Sequence, residues 1–442
     1  MLETAVQFAA LSLPTVRLLS VRRFFSIKEF YAMTTQFDIS RAVPFATCFS
    51  VGAVLFSSHA GGGFASGNQA YQNFVSSGWL GPFSAVLCML IFTLTIKEAM
   101  FMYNSRKMTS YKQLFETLFH PFDKIEILFE VFFYIMVLMA VGAAVATAAS
   151  TINAYFPFGD SSYYVYIGVV GFVVLIFTIF GADIVRRAST VMGLGILTTS
   201  IAIFATGIVK APDLSGVIAA SYAADGFSKL PQAVMTAFTY AGFQCVVIPT
   251  MIVCGAPLMN RRACAKSMWI SFGLNAVALV LSVFMLTGWA PFFTSVPKGT
   301  TIPTLTSCRE MGIGILTAVY TVCLLLCLIS TGVTTVFGFT ARFEKLRIFS
   351  GIKSAPVRCA IVSAAIIVLA MGVSMAGLTN IIKYGYGYCG YLAIAIIIVP
   401  FLTVGVFKNR AFVKAHPEYQ GVPEAHADRS AAPSEVPAVS GD

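Results

Sequence analysis

Charge is what this sequence has least of. Only 11% of its 442 residues are Asp, Glu, Lys or Arg, against about a quarter in an ordinary soluble domain. Histidine occurs four times and tryptophan three times. No Cys-x-x-Cys pair and no Cys/His ligand spacing is present. The ten cysteines are scattered through runs such as "VCLLLCLI", where they read as small apolar core residues. "GGGFASG" lacks the G-K-[ST] ending of a phosphate-binding loop, so nothing points to ATP as a drive. The apolar runs hold a single histidine, His59, and no Asp pair; Glu126 and Glu130, one turn apart at the inner end of span three, read as interfacial. The chain is read as a non-enzyme without a cofactor.

What replaces charge is apolar surface. The composition is 57% hydrophobic and the mean hydropathy is +0.82. Runs of about 20 apolar residues read as transmembrane helices. Ten are expected, numbered here as spans one to ten: 43–76, 79–103, 125–155, 163–181, 188–209, 229–256, 264–288, 312–340, 357–377 and 383–406. The net charge of +10 sorts by side. With the N-terminus inside, 23 of the 29 Lys and Arg residues fall on inner segments and five on outer ones, with Lys97 inside span two. That bias is a topology signal. It places both termini in the cytoplasm and the chain in the plasma or inner membrane, its partners the bilayer and a small solute, not nucleic acid.

Residues 1–42 form a basic lead-in, and a start at Met33 would leave a short cytoplasmic one. The core is expected over 43–409. The tail, 410–442, is rich in Pro, Ala, Ser and Glu and is expected to be disordered.

Span one contains its own breaker. Gly61, Gly62 and Gly63 together disfavour helix by roughly 3 kcal/mol against alanine, between helical flanks "VPFATCFSVGAVLF" and "FASGNQAYQNFV". Irregular backbone survives at membrane depth only where it is buried or lines a cavity. The other reading is a face of small residues for close helix packing. Transporters built as inverted repeats carry two such breaks in corresponding positions. Ten spans divide five and five, so the partner is sought in span six. There "AFTYAGFQCVVIPT" places Gly242 in an apolar run, beside Thr239, Tyr240, Phe243 and Gln244. Half-helix N-termini favour an anionic group, and half-helix C-termini with unwound carbonyls favour a cation. A zwitterion matches both. The candidate substrate site is therefore Gly61, Gly62, Gly63, Phe64, Thr239, Tyr240, Gly242, Phe243 and Gln244.

"AGGGFASGNQ", 60–69, resembles the first-helix signature "GAGFASGQE" of the YkvI-type bacterial membrane proteins. These belong to the amino acid–polyamine–organocation superfamily. The resemblance implies an all-α polytopic fold of the LeuT type, a 5+5 inverted repeat with discontinuous helices one and six. The chain departs from the signature at Asn68 and Gln69, where the family has Gln then Glu. In sodium-coupled relatives of the fold, Na⁺ lies between the first break and span eight. "TGVTT", 331–335, is similar to their span-eight pattern. Carried over, the ligands are the hydroxyls of Thr334 and Thr335 and the carbonyls of Thr331, Ser57 and Ala60. Oxygen ligands suit a hard cation. The alternative is that each threonine bonds the carbonyl four residues back. His59 has two readings as well: a proton carrier competing with Na⁺ as coupling ion, or a neutral ring bonding backbone freed at the break. Glu130 is expected to lie deep enough to pair with Lys97.

The function expected is secondary active transport of a small zwitterionic or amine solute, an amino acid first, by alternating access coupled to Na⁺ or H⁺. A channel or a solute sensor on the same scaffold is the alternative.

Overall fold

The computed structural model describes residues 43–421 apart from Ala60, Gly181, Pro297, 344–351 and Lys353; side chains at 182–194, 294, 341–343, 355 and 356 are not described. The lead-in 1–42 and the stretch 422–442 lie outside the described residues. Every regular element described is helical. Among the described residues, eight helices are long and apolar enough to cross a membrane: Val75–Ser105, Asp123–Tyr155, Ser162–Phe180, Leu230–Cys254, Arg261–Phe293, Gly314–Thr340, Val357–Ser374 and Leu378–Ala415. They occupy spans two to four and six to ten. A ninth is bent by 77° between Gly195–Val209 and Leu214–Asp225, so span five ends in a helix turned aside. Span one is assembled from pieces: Phe45–His59, Gly62–Ala65 and Asn68–Asn73.

The helix starts are written in the sequence. Pro82, Pro231 and Pro356 stand in first turns, where a missing N–H costs nothing. Asn260 caps span seven by accepting from Ala263 N at 2.8 Å, and Asp213 caps Leu214–Asp225 by accepting from Gly216 N at 2.8 Å.

Span six corrects one expectation in position. Gly242 lies inside an unbroken helix, Leu230–Gln244; the interruption is one 3₁₀ turn, Cys245–Val247, before Ile248–Cys254. Gly242 serves packing instead. A Cβ there would meet Gly390 O at 2.6 Å, and one at Gly390 would meet Thr239 O at 2.4 Å. The backbones of spans six and ten touch at this pair, the use that membrane helices make of small residues. Span ten carries stretches of wider π turns, Ile381–Tyr386, Ile394–Ile398 and Phe401–Gly405. The last follows Pro400, whose missing donor frees a carbonyl in the ladder.

The Lys/Arg-rich end is tied by buried polar groups. Lys408 Nζ donates to the carbonyls of Thr117, Leu118 and His120 at 2.8, 3.1 and 3.0 Å. One ammonium thus satisfies the orphan carbonyls at the end of helix Tyr111–Phe119. Asn409 donates to Glu98 Oε2 at 2.9 Å and accepts from Arg106 Nη1 at 2.9 Å. Burial lowers the Arg106 pKa to about 10, which leaves it charged near neutral pH. Lys97 pairs with its neighbour Glu98 at 2.9 Å. Glu130 instead accepts from Tyr111 OH at 2.5 Å, so the expected Lys97–Glu130 pair is not formed. The core also runs past 409. Val406–Ala415 and Pro417–Gln420 are helical, and Tyr419 packs on Phe412 at 5.2 Å between ring centres. Residues 410–421 are therefore ordered, where the composition suggested disorder.

Gly242→Ala is expected to destabilise the protein by about 1–3 kcal/mol, since backbone must move to admit the methyl. Gly168→Ala, where a Cβ meets nothing within 4 Å in mid-helix, is expected to stabilise by about 0.5–1 kcal/mol. Thermal melts in detergent check both signs.

Candidate functional site

The break in span one sits at the centre of the site. Helix Phe45–His59 stops at His59, one turn follows at Gly62–Ala65, and Gly67 takes the left-handed conformation with φ 79° before Asn68–Asn73 begins. The backbone freed here is met from other elements. Tyr320 OH of span eight donates to Ala65 O at 2.6 Å. Thr304 N donates to Ser66 O at 3.2 Å. In the reverse sense, the Asn68 side chain ties the facing loop to the break, Nδ2 donating to Thr300 O and Thr301 O at 3.0 and 2.9 Å. Gly67 allows the approach: a Cβ there would collide with Thr304 Oγ1. These contacts seal the Lys/Arg-poor side of the break.

On the other side a cavity of about 210 Å³ opens. It is lined by the break (Ser58, His59, Gly61, Gly63, Phe64, Gln69) and by one stripe of span three (Phe133, Met136, Val137, Ala140, Ala143, Ala144). Span six adds Phe243, Gln244 and Thr250, span eight adds Thr331, Thr334, Thr335, Gly338 and Phe339, and span ten adds Tyr386. None of the lining residues is Asp, Glu, Lys or Arg. The cavity runs from Phe64 and Gln69 in the middle to Gly338 and Phe339, near the Lys/Arg-rich end of span eight.

Of the expected substrate residues, Gly61, Gly63, Phe64, Phe243 and Gln244 come together around this space. Gly62 opens the turn beside it. Thr239, Tyr240 and Gly242 lie behind the wall. Thr239 Oγ1 donates to Met235 O at 2.8 Å, and Tyr240 is fully buried. Of the expected ion ligands, Thr331, Thr334 and Thr335 face the cavity from one stretch of span eight. Thr331 Oγ1 donates to Cys327 O and Thr334 Oγ1 to Ser330 O, both at 2.8 Å, which is the i−4 bonding foreseen as the alternative. Ser57 is exposed, with its hydroxyl on Val54 O at 3.0 Å, and does not line the cavity. Ala60 lies outside the described residues.

His59 is the hub of a buried polar chain. Its Nδ1 is 2.7 Å from Asn275 Oδ1 and its Nε2 is 3.0 Å from Tyr240 OH. Tyr240 OH lies 3.3 Å from Gln69 Oε1. Asn275 Nδ2 donates to Ser271 O at 2.8 Å, which turns its Oδ1 toward the imidazole. Nδ1 therefore carries a proton, and Nε2 faces the phenol. Phe64, Phe92 and Tyr240 surround the ring at 5.2, 6.3 and 5.8 Å between centres.

Asn275, Gln69, Tyr386 and the span-three stripe were not singled out in the sequence as parts of the site. Asn275 had a signal: a lone amide in the apolar run "LNAVALVLS" needs a partner at depth. The stripe had one too, spaced at three and four residues.

No protein-family model and no curated protein matches this sequence. Solved structures do. The chain is similar to MhsT in complex with L-phenylalanine, at 13% identity over 79% of this chain and 91% of that one, with a TM-score of 0.53. It is also similar to the Eremococcus coleocola manganese transporter in complex with an aromatic bis-isothiourea substituted compound. There the identity is 13% over 89% of this chain and 87% of that one, with a TM-score of 0.50. At such identity the likeness is one of fold: this is a polytopic helical membrane protein of the LeuT type.

The cavity geometry sets a direction of access. A cysteine at Thr335 is expected to react with a membrane-impermeant maleimide added from the Lys/Arg-rich side and not from the other. Labelling from the opposite side alone would contradict the seal at Tyr320 and Asn68.

Proposed function

We propose that this chain is a secondary active transporter of a small zwitterionic or amine solute, with an amino acid as the leading class. It works by alternating access in a cell membrane, with both termini cytoplasmic. In this reading the structure is the inward-open state. The observation that carries it is the cavity at the break of span one, open toward one side and closed on the other by groups that also satisfy freed backbone. A pore would be continuous; here the closing contacts are a few hydrogen bonds, the kind of two-state element that a ligand biases.

The cavity supplies recognition without ionised side chains. The C-terminal end of Phe45–His59 brings orphan carbonyls and a partial negative charge to it, which favour an ammonium group. The rings of Phe64, Phe133, Phe243, Phe339 and Tyr386 favour an apolar body and a cation over a π face. The coupling ion is Na⁺ held by Thr334 and Thr335 with the carbonyls of Thr331, Ser57 and Ala60, or H⁺ carried by His59. Membership of the YkvI-type proteins, resting on residues 60–69, is part of the same reading.

A thermal-shift screen of the purified protein tests this, using amino acids and amines in sodium and in choline, at two pH values. A ligand at a hundredfold excess over Kd adds about 2.7 kcal/mol of apparent stability. A sodium-dependent shift that is lost in Thr335→Ala supports the sodium site. A pH-dependent shift that is lost in His59→Gln supports the proton. No shift with any compound would contradict the substrate class.

A further inference from the structure

A second concavity, of about 590 Å³, lies on the opposite, Lys/Arg-poor end, between spans three and eight. Thr151, Ile152, Tyr155 and Phe156 form one wall. Gly314, Thr317, Ala318, Thr321, Val322 and Leu325 form the other, at helical spacing along one face of span eight. That face is about 17 Å long at 1.5 Å per residue, close to half of a hydrocarbon core of about 30 Å. The span-eight wall has the length of one leaflet, and the span-three wall, 151–156, faces it over about 8 Å. Val322 of the span-eight wall and Ile315 beside it are 57% and 83% exposed, so the groove opens where lipid would lie.

Its mouth is basic in a region that otherwise carries little positive charge. Arg309 is exposed and stacks its guanidinium on the Tyr155 ring, 4.3 Å from the centre. Nη2 donates to Ala154 O at 3.1 Å, which anchors the side chain over the groove. A guanidinium has five N–H donors, so this anchor leaves others for an anion. Lys210 reaches the same loop, with Nζ on Met311 O at 3.2 Å. Among the described residues neither cation is in an ion pair with a carboxylate: Glu310, next to Arg309, is exposed, and Asp213, three residues from Lys210, accepts from Gly216 N. A hydrogen bond between Tyr155 OH and Thr321 Oγ1 at 2.8 Å ties the two walls together.

An apolar trough whose span-eight wall runs the length of one leaflet, beneath an anchored arginine, matches one molecule shape: a chain with an anionic head at its end. We propose that this groove binds an anionic glycerophospholipid, with one acyl chain between spans three and eight and its phosphate on Arg309. A soluble anion would have no use for the trough, and a neutral hydrocarbon would have no use for the arginine. Arginine suits the head because it offers phosphate two parallel donors. Thr321 adjoins Tyr320, whose hydroxyl holds the Ala65 carbonyl, so a bound lipid stands next to the closed end of the central cavity.

Native mass spectrometry of the full-length protein, offered phosphatidylglycerol and phosphatidylcholine in equal amounts, tests the proposal. Wild type is expected to retain phosphatidylglycerol preferentially, one molecule beyond the general annulus. Arg309→Ala is expected to weaken that retention about tenfold or more, as loss of a charged hydrogen-bonding partner does. Arg309→Lys is expected to recover part of it, and Ala318→Trp, which fills the trough and leaves the arginine, to abolish it. Equal retention of the two lipids by wild type, or unchanged retention in both Arg309→Ala and Ala318→Trp, would overturn the site. Occupation of the groove by a second copy of the chain, seen as a dimer lost in Ala318→Trp, would overturn it too.

Discussion

A peptide group without a partner inside a bilayer costs several kcal/mol, and this chain leaves several such groups free at the centre of span one. Among the described residues, the contacts at Ala65 and Ser66 answer that cost. Tyr320 reaches from span eight to the Ala65 carbonyl, Thr304 donates its backbone N–H to Ser66, and Asn68 holds the loop at Thr300 and Thr301. These partners all stand on one side of the break. The groups that satisfy the backbone therefore also close one end of the molecule, and the space left on the other side is the cavity. Asymmetry of access follows from a hydrogen-bonding requirement.

The same constraint explains the chemistry of the cavity. Ionised side chains are expensive at this depth, and none lines it. Polarity comes instead from the end of helix Phe45–His59, from the amides of Gln69 and Gln244 and from threonine hydroxyls. Charged groups stand toward the ends of the spans; at the Lys/Arg-rich end Lys408 caps three carbonyls, and Arg106, Glu98 and Lys97 form a connected set through Asn409. That set joins spans two and ten, and Gly242 and Gly390 join six and ten.

The architecture was legible because each span is a long apolar run bounded by Lys and Arg, and because three consecutive glycines have few other uses in such a run. A single glycine is less informative. Gly242 read as a helix breaker and proved to be a contact between two backbones; only the position of Gly390 distinguishes these uses, and that lies about 150 residues away in sequence. The threonines of 331–335 did reach the cavity, but whether a hydroxyl faces an ion or its own helix depends on rotamer, which spacing does not encode. Residues 410–421 read as tail because their composition is polar, whereas Phe412 and Tyr419 supply the packing that orders them. His59 was visible as the lone histidine of the membrane core. Its partners Asn275 and Tyr240 stand on spans seven and six, 216 and 181 residues away; each is a polar side chain in an apolar run, but nothing local pairs either with His59.

The central claim is that the cavity belongs to a machine with one end open at a time. Solute accumulation in proteoliposomes tests it most directly, with a labelled amino acid or amine from the screen outside and an imposed sodium or proton gradient across the membrane. The account predicts accumulation above the outside concentration that collapses when the gradient is dissipated, together with exchange of preloaded for external solute. Equilibration to equal concentrations at a rate indifferent to either gradient, without exchange, would identify a passive pore and contradict it.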